Sequence, residues 1–230
     1  MSRLVVVTGG TRGIGAAIAA RFSSLGDTVL APGRAECDVT DEDAVAAYFA
    51  AAGPVDVLVN NAGISASAPL AKTSLDDWRS QLEVNATGAF LCTREVLPGM
   101  RSRDSGRIVT VASTASHVGY RYTAAYTASK HAAAGLMRAV AAELAGTGVT
   151  ANAVCPAFVR TDMTATSVAR IQERTGRSVD DAESALAAAS PLGRLLEPSE
   201  VAFAVAFLAA PEAAAINGQT LVLDGGGIQS

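Results

Sequence analysis

The feature that most constrains the fold is a glycine-rich turn that joins an apolar run to an alanine-rich helical stretch. Leu4-Val5-Val6-Val7 is typical of a buried strand, Thr8-Gly9-Gly10-Thr11-Arg12-Gly13-Ile14-Gly15 follows it, and residues 16–22 predict a helix. Glycine suits such a turn because the backbone needs positive φ and must come close to a pyrophosphate, which the helix N-terminus attracts. The pattern predicts the first unit of a dinucleotide-binding sheet. The spacing is Gly-x3-Gly-x-Gly, and an ordinary loop is the alternative for the turn alone.

Short apolar runs alternate with alanine-rich helical stretches along the rest of the chain. Strands are predicted near residues 3–8, 28–32, 55–59, 106–112, 149–154 and 219–223, and helices near 14–25, 41–52, 75–99, 123–145 and 198–209. Half of the residues are hydrophobic, which fits a parallel sheet covered on both faces. We therefore expect an α/β fold, a Rossmann-type doubly wound parallel sheet in one domain spanning residues 1–230.

Tyr126 and Lys130 are the most informative pair for chemistry. Four residues is about one helical turn, so both side chains lie on one face of a predicted helix. A neighbouring ammonium favours the phenolate and can bring the pKa of a tyrosine towards the range useful for acid–base catalysis. The alternative is a half-buried tyrosine packed beside a snorkelling lysine.

Five separated motifs in this order carry a family resemblance. They are Thr8-Gly9-x3-Gly13-Ile14-Gly15, Asn60-Asn61-Ala62-Gly63, Asn85, Ser113 and Tyr126-x3-Lys130. Over nearly its whole length the chain resembles the short-chain dehydrogenases/reductases, and from Tyr126 to Leu223 it is most similar to 3-oxoacyl and polyketide ketoreductases and hydroxyacyl dehydrogenases.

The resemblance implies a catalytic tetrad. In it Tyr126 is the general acid/base, Ser113 holds the carbonyl oxygen, Lys130 lowers the Tyr126 pKa and binds the nicotinamide ribose, and Asn85 helps hold a proton-relaying water. Two hydroxyls suit a carbonyl that gains negative charge during hydride transfer, and Ser113 follows a predicted strand at the sheet edge where such folds bind ligands. The alternatives are a capping loop serine for Ser113 and a bent helical position for Asn85.

The charge near the end of the second strand bears on the cofactor. Arg34 stands there and Arg12 lies in the glycine turn, with no acid before Glu36, so NADPH is favoured over NADH. The alternative is that both arginines are solvated surface charges. The expected cofactor-binding residues are Thr8, Gly9, Thr11, Arg12, Gly13, Ile14, Gly15, Arg34, Asp38, Val39, Asn61, Ala62, Gly63, Pro156 and Thr161.

Two stretches depart from a regular strand–helix repeat. Only three residues separate Arg34 from Asp38, whereas a parallel crossover needs about a dozen. We expect a truncated region between the second and third strands, with Asp38 and Val39 swinging over the adenine pocket. Residues 158–195 have no strand pattern, and the resemblance implies a substrate lid there, with Thr161 on the nicotinamide carboxamide. Pro156-Ala157 replaces the family's usual Pro-Gly.

Composition excludes several other functions. The net charge is −4 with no basic run, so nucleic acid is not expected as a partner. The chain has no long uncharged apolar stretch and no basic leader before an apolar segment, so we expect a cytoplasmic protein without membrane contact. Three cysteines without C-x-x-C spacing and two histidines predict no metal site. His117, between Ser113 and Tyr126, is a candidate for facing the substrate.

Three functions remain open at this point. The first is an NADPH-dependent carbonyl reductase acting on a small-molecule ketone, and the second is an NAD-dependent alcohol or hydroxy-acid dehydrogenase. The third is a catalytically silent dinucleotide-binding sensor, against which the joint presence of Ser113, Tyr126 and Lys130 argues. Apolar and small residues on more than one face of the helices near 75–99 and 123–145 predict a homodimer or homotetramer. They are Ala86, Ala89, Phe90, Ala132, Ala133 and Leu136.

Overall fold

One parallel six-stranded sheet forms the centre of the molecule in the computed structural model, which describes residues 2–229. The strand order is β2-β1-β3-β4-β5-β6. The strands are β1 (Leu4–Val7), β2 (Thr28–Leu30), β3 (Val57–Asn60), β4 (Gly106–Val111), β5 (Val149–Pro156) and β6 (Thr220–Leu223). The α-helices are α1 (Gly13–Ser24), α2 (Glu42–Ala52), α3 (Leu75–Leu82), α4 (Gly88–Ser102), α5 (Ala124–Glu143), α6 (Asp162–Thr175), α7 (Val179–Ala187) and α8 (Pro198–Leu208).

Each strand sends alternate side chains into two separate cores, as the two-residue period of a strand requires. Val6 of β1 packs in one core with apolar residues of α2, α4 and α5. Its neighbours Val5 and Val7 pack in the other, with residues of α1 and α8. The prediction of a doubly wound parallel sheet in a single α/β domain is confirmed.

The region between β2 and α2 is short, as predicted. Residues 31–41 contain no strand, and α2 carries the chain directly from the edge strand β2 to β3 on the other side of β1. The side chain of Val39 is buried. It lies in the core with α2 and α4, and a Cβ on Gly88 would lie 2.7 Å from its Cγ2. Contact of Val39 with an adenine would therefore involve its backbone.

The helix predicted over residues 75–99 is interrupted. A π-helical turn, Glu83–Thr87, separates α3 from α4. Turns of this kind are frequent at functional sites, and this one contains Asn85.

The segment 158–195, which has no strand pattern in the sequence, folds as the helices α6 and α7. A single parallel bridge between Val159 and Leu196 joins its two ends. Within residues 2–229, no helix combines the length and apolar character needed to cross a bilayer.

Candidate active site

Ser113, Tyr126 and Lys130 are brought together at the carboxyl end of β4. Ser113 comes two residues after that strand, and its Oγ accepts a hydrogen bond of 3.1 Å from the N–H of Ala115. In the same turn, the Ser116 hydroxyl donates to the backbone oxygen of Lys130 at 2.9 Å. This bond ties the turn that follows Ser113 to α5, which carries both Tyr126 and Lys130.

Lys130 is a buried cation with a fixed position. Lys130 is 6% exposed, and its Nζ donates a 2.9 Å hydrogen bond to the Val111 carbonyl at the end of β4. The same nitrogen lies 5.8 Å from the centre of the Tyr126 ring. Burial lowers the pKa of Lys130 to about 8, because removal from water disfavours the charged form.

Burial also governs Tyr126. It raises the pKa of the phenol above its usual value of 10.0, and the Ser113 side chain lowers the pKa in part. Removal from water is thus the largest influence on the pKa of Tyr126 in this structure. Tyr126 therefore keeps its proton at neutral pH and is poised as an acid.

Asn85 is held by three hydrogen bonds. Its Nδ2 donates to the Ile64 carbonyl and to Ser129 Oγ, both at 2.9 Å, and its Oδ1 accepts from the Ile64 N–H at 2.8 Å. A Cβ on Gly63 would lie 3.2 Å from Asn85 Oδ1 and 3.6 Å from Lys130 Nζ. The π-helical turn thus aims a buried amide at the segment after β3, and the bonds described here fix that backbone beside Lys130.

The glycine turn after β1 is locked to the same segment. Asn61 Nδ2 donates to the carbonyls of Thr8 and Gly9 at 2.9 and 3.0 Å, while Thr8 Oγ1 accepts from the N–H groups of Asn61 and Ala62, both at 3.1 Å. Gly9 has φ of +62°, and a Cβ there would lie 2.9 Å from the Ala62 Cα. Two of the predicted motifs therefore pack against each other.

The N-terminus of α1 has the chemistry of an anion site. Arg12 is its N-cap and makes no side-chain cap bond, and the first turn carries no acidic residue. The free N–H groups and the helix dipole are thus available for a phosphate. Thr161 lies against this turn, since a Cβ on Gly13 would be 3.4 Å from its Cγ2. The residues present fit a dinucleotide, whose pyrophosphate this turn would hold.

The two arginines expected to select NADPH lie at the surface and are paired with acids. The Arg34 side chain is 85% exposed and its Nε donates to Asp38 Oδ2 at 2.9 Å. Hydrogen bonds from Thr40, and then the contact with Arg34, lower the pKa of Asp38. Arg12 lies 3.6 Å from Asp162 at the start of α6.

Glu36 lies beside the glycine turn. Its Oε2 accepts a 2.9 Å hydrogen bond from the Gly33 N–H, and a Cβ on Gly33 would be 3.1 Å from that oxygen and 3.0 Å from Thr11 Cγ2. A carboxylate thus lies beside the glycine turn near the end of β2. In dinucleotide-binding folds, an acid at the end of the second strand accepts a hydrogen bond from the ribose 2′-hydroxyl. This general rule is the feature of the sequence that points to Glu36.

Ile14 and Pro156, two further expected cofactor-binding residues, lie at the start of α1 and at the end of β5. Ile14 packs beside the core that contains α1 and α8, and Pro156 ends β5, where it is paired with Leu223. The pKa of His117 is lowered by burial and by Arg138. Among residues 2–229, no three His, Cys, Asp or Glu side chains form a group that could hold a metal ion.

Comparison with known proteins agrees with this geometry. A family model described as enoyl-(acyl carrier protein) reductase matches residues 9–227. The 3-oxoacyl-[acyl-carrier-protein] reductase MabA of Mycobacterium tuberculosis is 38% identical, with 98% of this chain and 93% of that protein covered.

Two solved structures are also similar. A variant of actinorhodin polyketide ketoreductase with NADPH has a TM-score of 0.90 at 37% identity, covering 98% of this chain and 97% of that one. A protein assigned as an NAD(P)-dependent gluconate 5-dehydrogenase from Beutenbergia cavernae, with bound NADP, has a TM-score of 0.88 at 40% identity, covering 99% and 97%.

Proposed function

The chain belongs to the short-chain dehydrogenase/reductase family, and from this membership we propose that it is an NADPH-dependent ketoreductase that acts on a 3-oxoacyl-type ketone. Members of this family are oxidoreductases that act on C=O and CH–OH groups. The observation that carries the proposal is the joint position of Ser113, Tyr126 and Lys130 at the carboxyl end of β4. The relatives described above support the ketone and the cofactor.

Two regions of the protein would bind different parts of the cofactor. The N-terminus of α1 and the Asn61-locked glycine turn would hold the pyrophosphate, and Lys130 and Thr161 would lie towards the nicotinamide end. When bound, the reduced nicotinamide supplies the hydride that the carbonyl carbon accepts. Arg34 and Arg12 are the cations available to a 2′-phosphate.

Tyr126 supplies the proton. Its O–H donates to the substrate carbonyl oxygen and gives up its proton as charge develops there, while the Ser113 hydroxyl donates a second hydrogen bond. With a pKa of about 8, Lys130 is protonated in most molecules at pH 7 and stabilises the phenolate that results. Asn85 is a positioning residue, because its described bonds hold Ile64 and Ser129.

Oxidation of an alcohol is the second candidate. The assigned activity of the gluconate dehydrogenase relative favours it, as does the carboxylate of Glu36 near the end of β2. A panel of 3-oxoacyl thioesters of N-acetylcysteamine and of polyols, each assayed with both cofactors, separates the two. Higher kcat/KM for the thioesters with NADPH supports ketone reduction. If only the polyols are turned over, the assignment as a ketone reductase is wrong. If neither class of compound is turned over, the silent dinucleotide-binding sensor is favoured.

We also propose that the protein is a homo-oligomer of the cytoplasm. Phe90 on α4 is 44% exposed, and Phe203 on α8 is 62% exposed, so two separate helical faces present large apolar side chains. Two such faces fit a dimer that pairs again into a tetramer. Three buried free cysteines fit a reducing compartment. Sedimentation at micromolar concentration tests the assembly, and a monomer would contradict it.

A further inference from the structure

A cavity of about 210 Å³ lies where α6 meets α3 and the start of α5. Its polar lining includes Ser67 after β3, Asp77 and Gln81 of α3, and Arg170 and Arg174 of α6. None of these residues belongs to the glycine turn or to the expected cofactor-binding set. The cavity is therefore separate from the dinucleotide site.

The two arginines of this cavity differ from Arg160 and Arg194 of the same segment. Arg160 and Arg194 are neutralised by Glu183, Glu197 and Glu200, at distances of 2.7–3.2 Å. Within residues 2–229, no carboxylate oxygen lies within 4.0 Å of Arg170 or Arg174.

Arg170 and Arg174 also share a face. They are four residues apart on α6, so one helical turn places both guanidinium groups on the side of α6 that lines the cavity.

The opposite wall is rigid. Gln81 is fully buried and its Oε1 accepts from the Ala66 N–H at 3.1 Å, while Ser67 Oγ accepts from Arg170 Nη1 at 3.1 Å. Tyr122, which also lines the cavity, has φ of +68° and its carbonyl accepts from the Ala68 N–H at 2.8 Å. A non-glycine residue in this backbone region is held there at an energetic cost, which is common at ligand sites.

The cavity borders the start of α5, the helix that carries Tyr126 and Lys130. Ala124 and Ala125 line it, and Tyr126 is the next residue of the same helical turn. The cavity and the reacting tyrosine therefore belong to the first turn of one helix.

We propose that this cavity is an oxyanion subsite, which binds a phosphate or carboxylate group at the end of the substrate distant from its carbonyl. The lining has two arginines against one carboxylate, Asp77, whose Oδ2 accepts from the Ser74 hydroxyl at 2.7 Å. A net positive cavity with guanidinium donors suits such a group. That the anion belongs to the substrate rests on the proposed ketoreductase function, whereas anion binding by the cavity does not.

Calorimetric titration of the protein saturated with NADP⁺ tests this with two matched pairs of probes. 4′-Phosphopantetheine differs from pantetheine by its phosphate, and glutarate differs from glutaramide by its charges. We expect the charged member of at least one pair to bind about tenfold or more tightly than its neutral partner. A preference for phosphopantetheine identifies a phosphate source, and one for glutarate identifies a carboxylate source.

Variants assign the preference to the cavity. The double variant Arg170→Met/Arg174→Met should lose it, and the single variant Arg174→Met should lose part of it without touching the Arg170–Ser67 bond. Arg177→Met is the matched control, because it removes the same charge from the same segment but lies outside the cavity lining. No preference in the wild type, or a preference that survives in the double variant, overturns the proposal. Since binding is measured without turnover, a protein that reduces no ketone can still pass this test.

Discussion

The two ends of the proposed dinucleotide site are built differently. At the catalytic end, Lys130, Asn85 and Ser113 are all buried, and hydrogen bonds to backbone or to neighbouring side chains fix each of them. At the adenosine end, the side chains of Arg12 and Arg34 are 79% and 85% exposed and are held only by surface ion pairs. Buried groups cannot move without leaving polar atoms unpaired, whereas exposed ion pairs exchange partners at little cost.

This difference assigns hydride and proton transfer to the catalytic end and the choice between NADPH and NADH to the adenosine end. A change at the catalytic end should remove turnover, because each group there has one position. A change at the adenosine end should alter only the ratio between cofactors, because solvent screens the charges that decide it.

Tyr126→Phe should abolish turnover and leave cofactor binding nearly intact, because it removes only the transferable proton. General acid–base catalysis contributes roughly 10²–10⁴-fold, so we expect kcat to fall by at least about a hundredfold. Steady-state kinetics and cofactor titration measure the two effects. Tyr48→Phe on α2 is the control, since it makes the same change away from the site. A Tyr126 variant that kept more than about a tenth of wild-type kcat would show that another group donates the proton.

Lys130→Met should also lose at least about a hundredfold in turnover, yet it should make the protein more stable near pH 7. The pKa of Lys130 in the folded state is about 8, below its ordinary value of 10.5, so the folded protein bears a cost while the lysine is charged. The unfolded state binds more protons between these two pKa values, and wild-type stability should therefore rise with pH through that window. A shift of this size corresponds to about 3 kcal/mol.

Urea unfolding at about pH 7 and about pH 10 measures this effect as the difference between variant and wild type. The change in the difference between the two pH values reports the titration of Lys130 together with its bond to Val111, because methionine has no ionisable group. Lys72→Met is the matched control, because Lys72 is the other lysine of the chain and is exposed. A stability difference that stays constant with pH would mean that burial does not perturb Lys130.

The catalytic end was the more predictable of the two from sequence, for a physical reason. Helical spacing places Tyr126 and Lys130 on one face, and the end of a predicted strand places Ser113 at the ligand-binding edge of the sheet. That the three act together was implied by the family resemblance. The position of Asn85 required the π-helical turn, which depends on tertiary packing around Ile64 and which helical periodicity does not show.

The adenosine end was less predictable because its local structure is irregular. The short segment after β2 was recognised as truncated, but Val39 turned into the core and Glu36 turned towards the glycine turn. Which side chain of a short loop packs inward depends on the neighbouring helix, here α4 with Gly88. The pair Arg170 and Arg174 was missed for a similar reason, since the cavity forms only when α6 packs beside α3 and α5.

Arg34→Asp should shift cofactor preference from NADPH towards NADH. The guanidinium can leave Asp38 to bind a 2′-phosphate, whereas a carboxylate repels that phosphate and accepts from a free 2′-hydroxyl. A charge-assisted bond is worth about 1.5–3 kcal/mol, so the ratio of kcat/KM values should change by at least about tenfold. Arg12 remains and limits the change. Arg101→Asp, on an exposed position of α4, is the control. An unchanged ratio would mean that Arg34 is only a solvated surface charge that does not bind the 2′-phosphate.

Glu36→Gln should give the smallest effect and in the opposite direction. Its carboxylate lies beside Thr11 and Gly33, where it opposes a 2′-phosphate and can accept from a 2′-hydroxyl. The amide keeps an oxygen that can accept from the Gly33 N–H but removes the charge, so the ratio of kcat/KM for NADPH over NADH should rise about threefold, which is the scale of a screened surface contact. The rise should shrink in high salt, because the interaction is between exposed charges. Glu143→Gln at the end of α5 controls for the loss of one negative charge. If Glu36→Gln changes the ratio by more than Arg34→Asp does, then the acid rather than the arginine decides cofactor choice, and the NAD-dependent dehydrogenase becomes the better assignment.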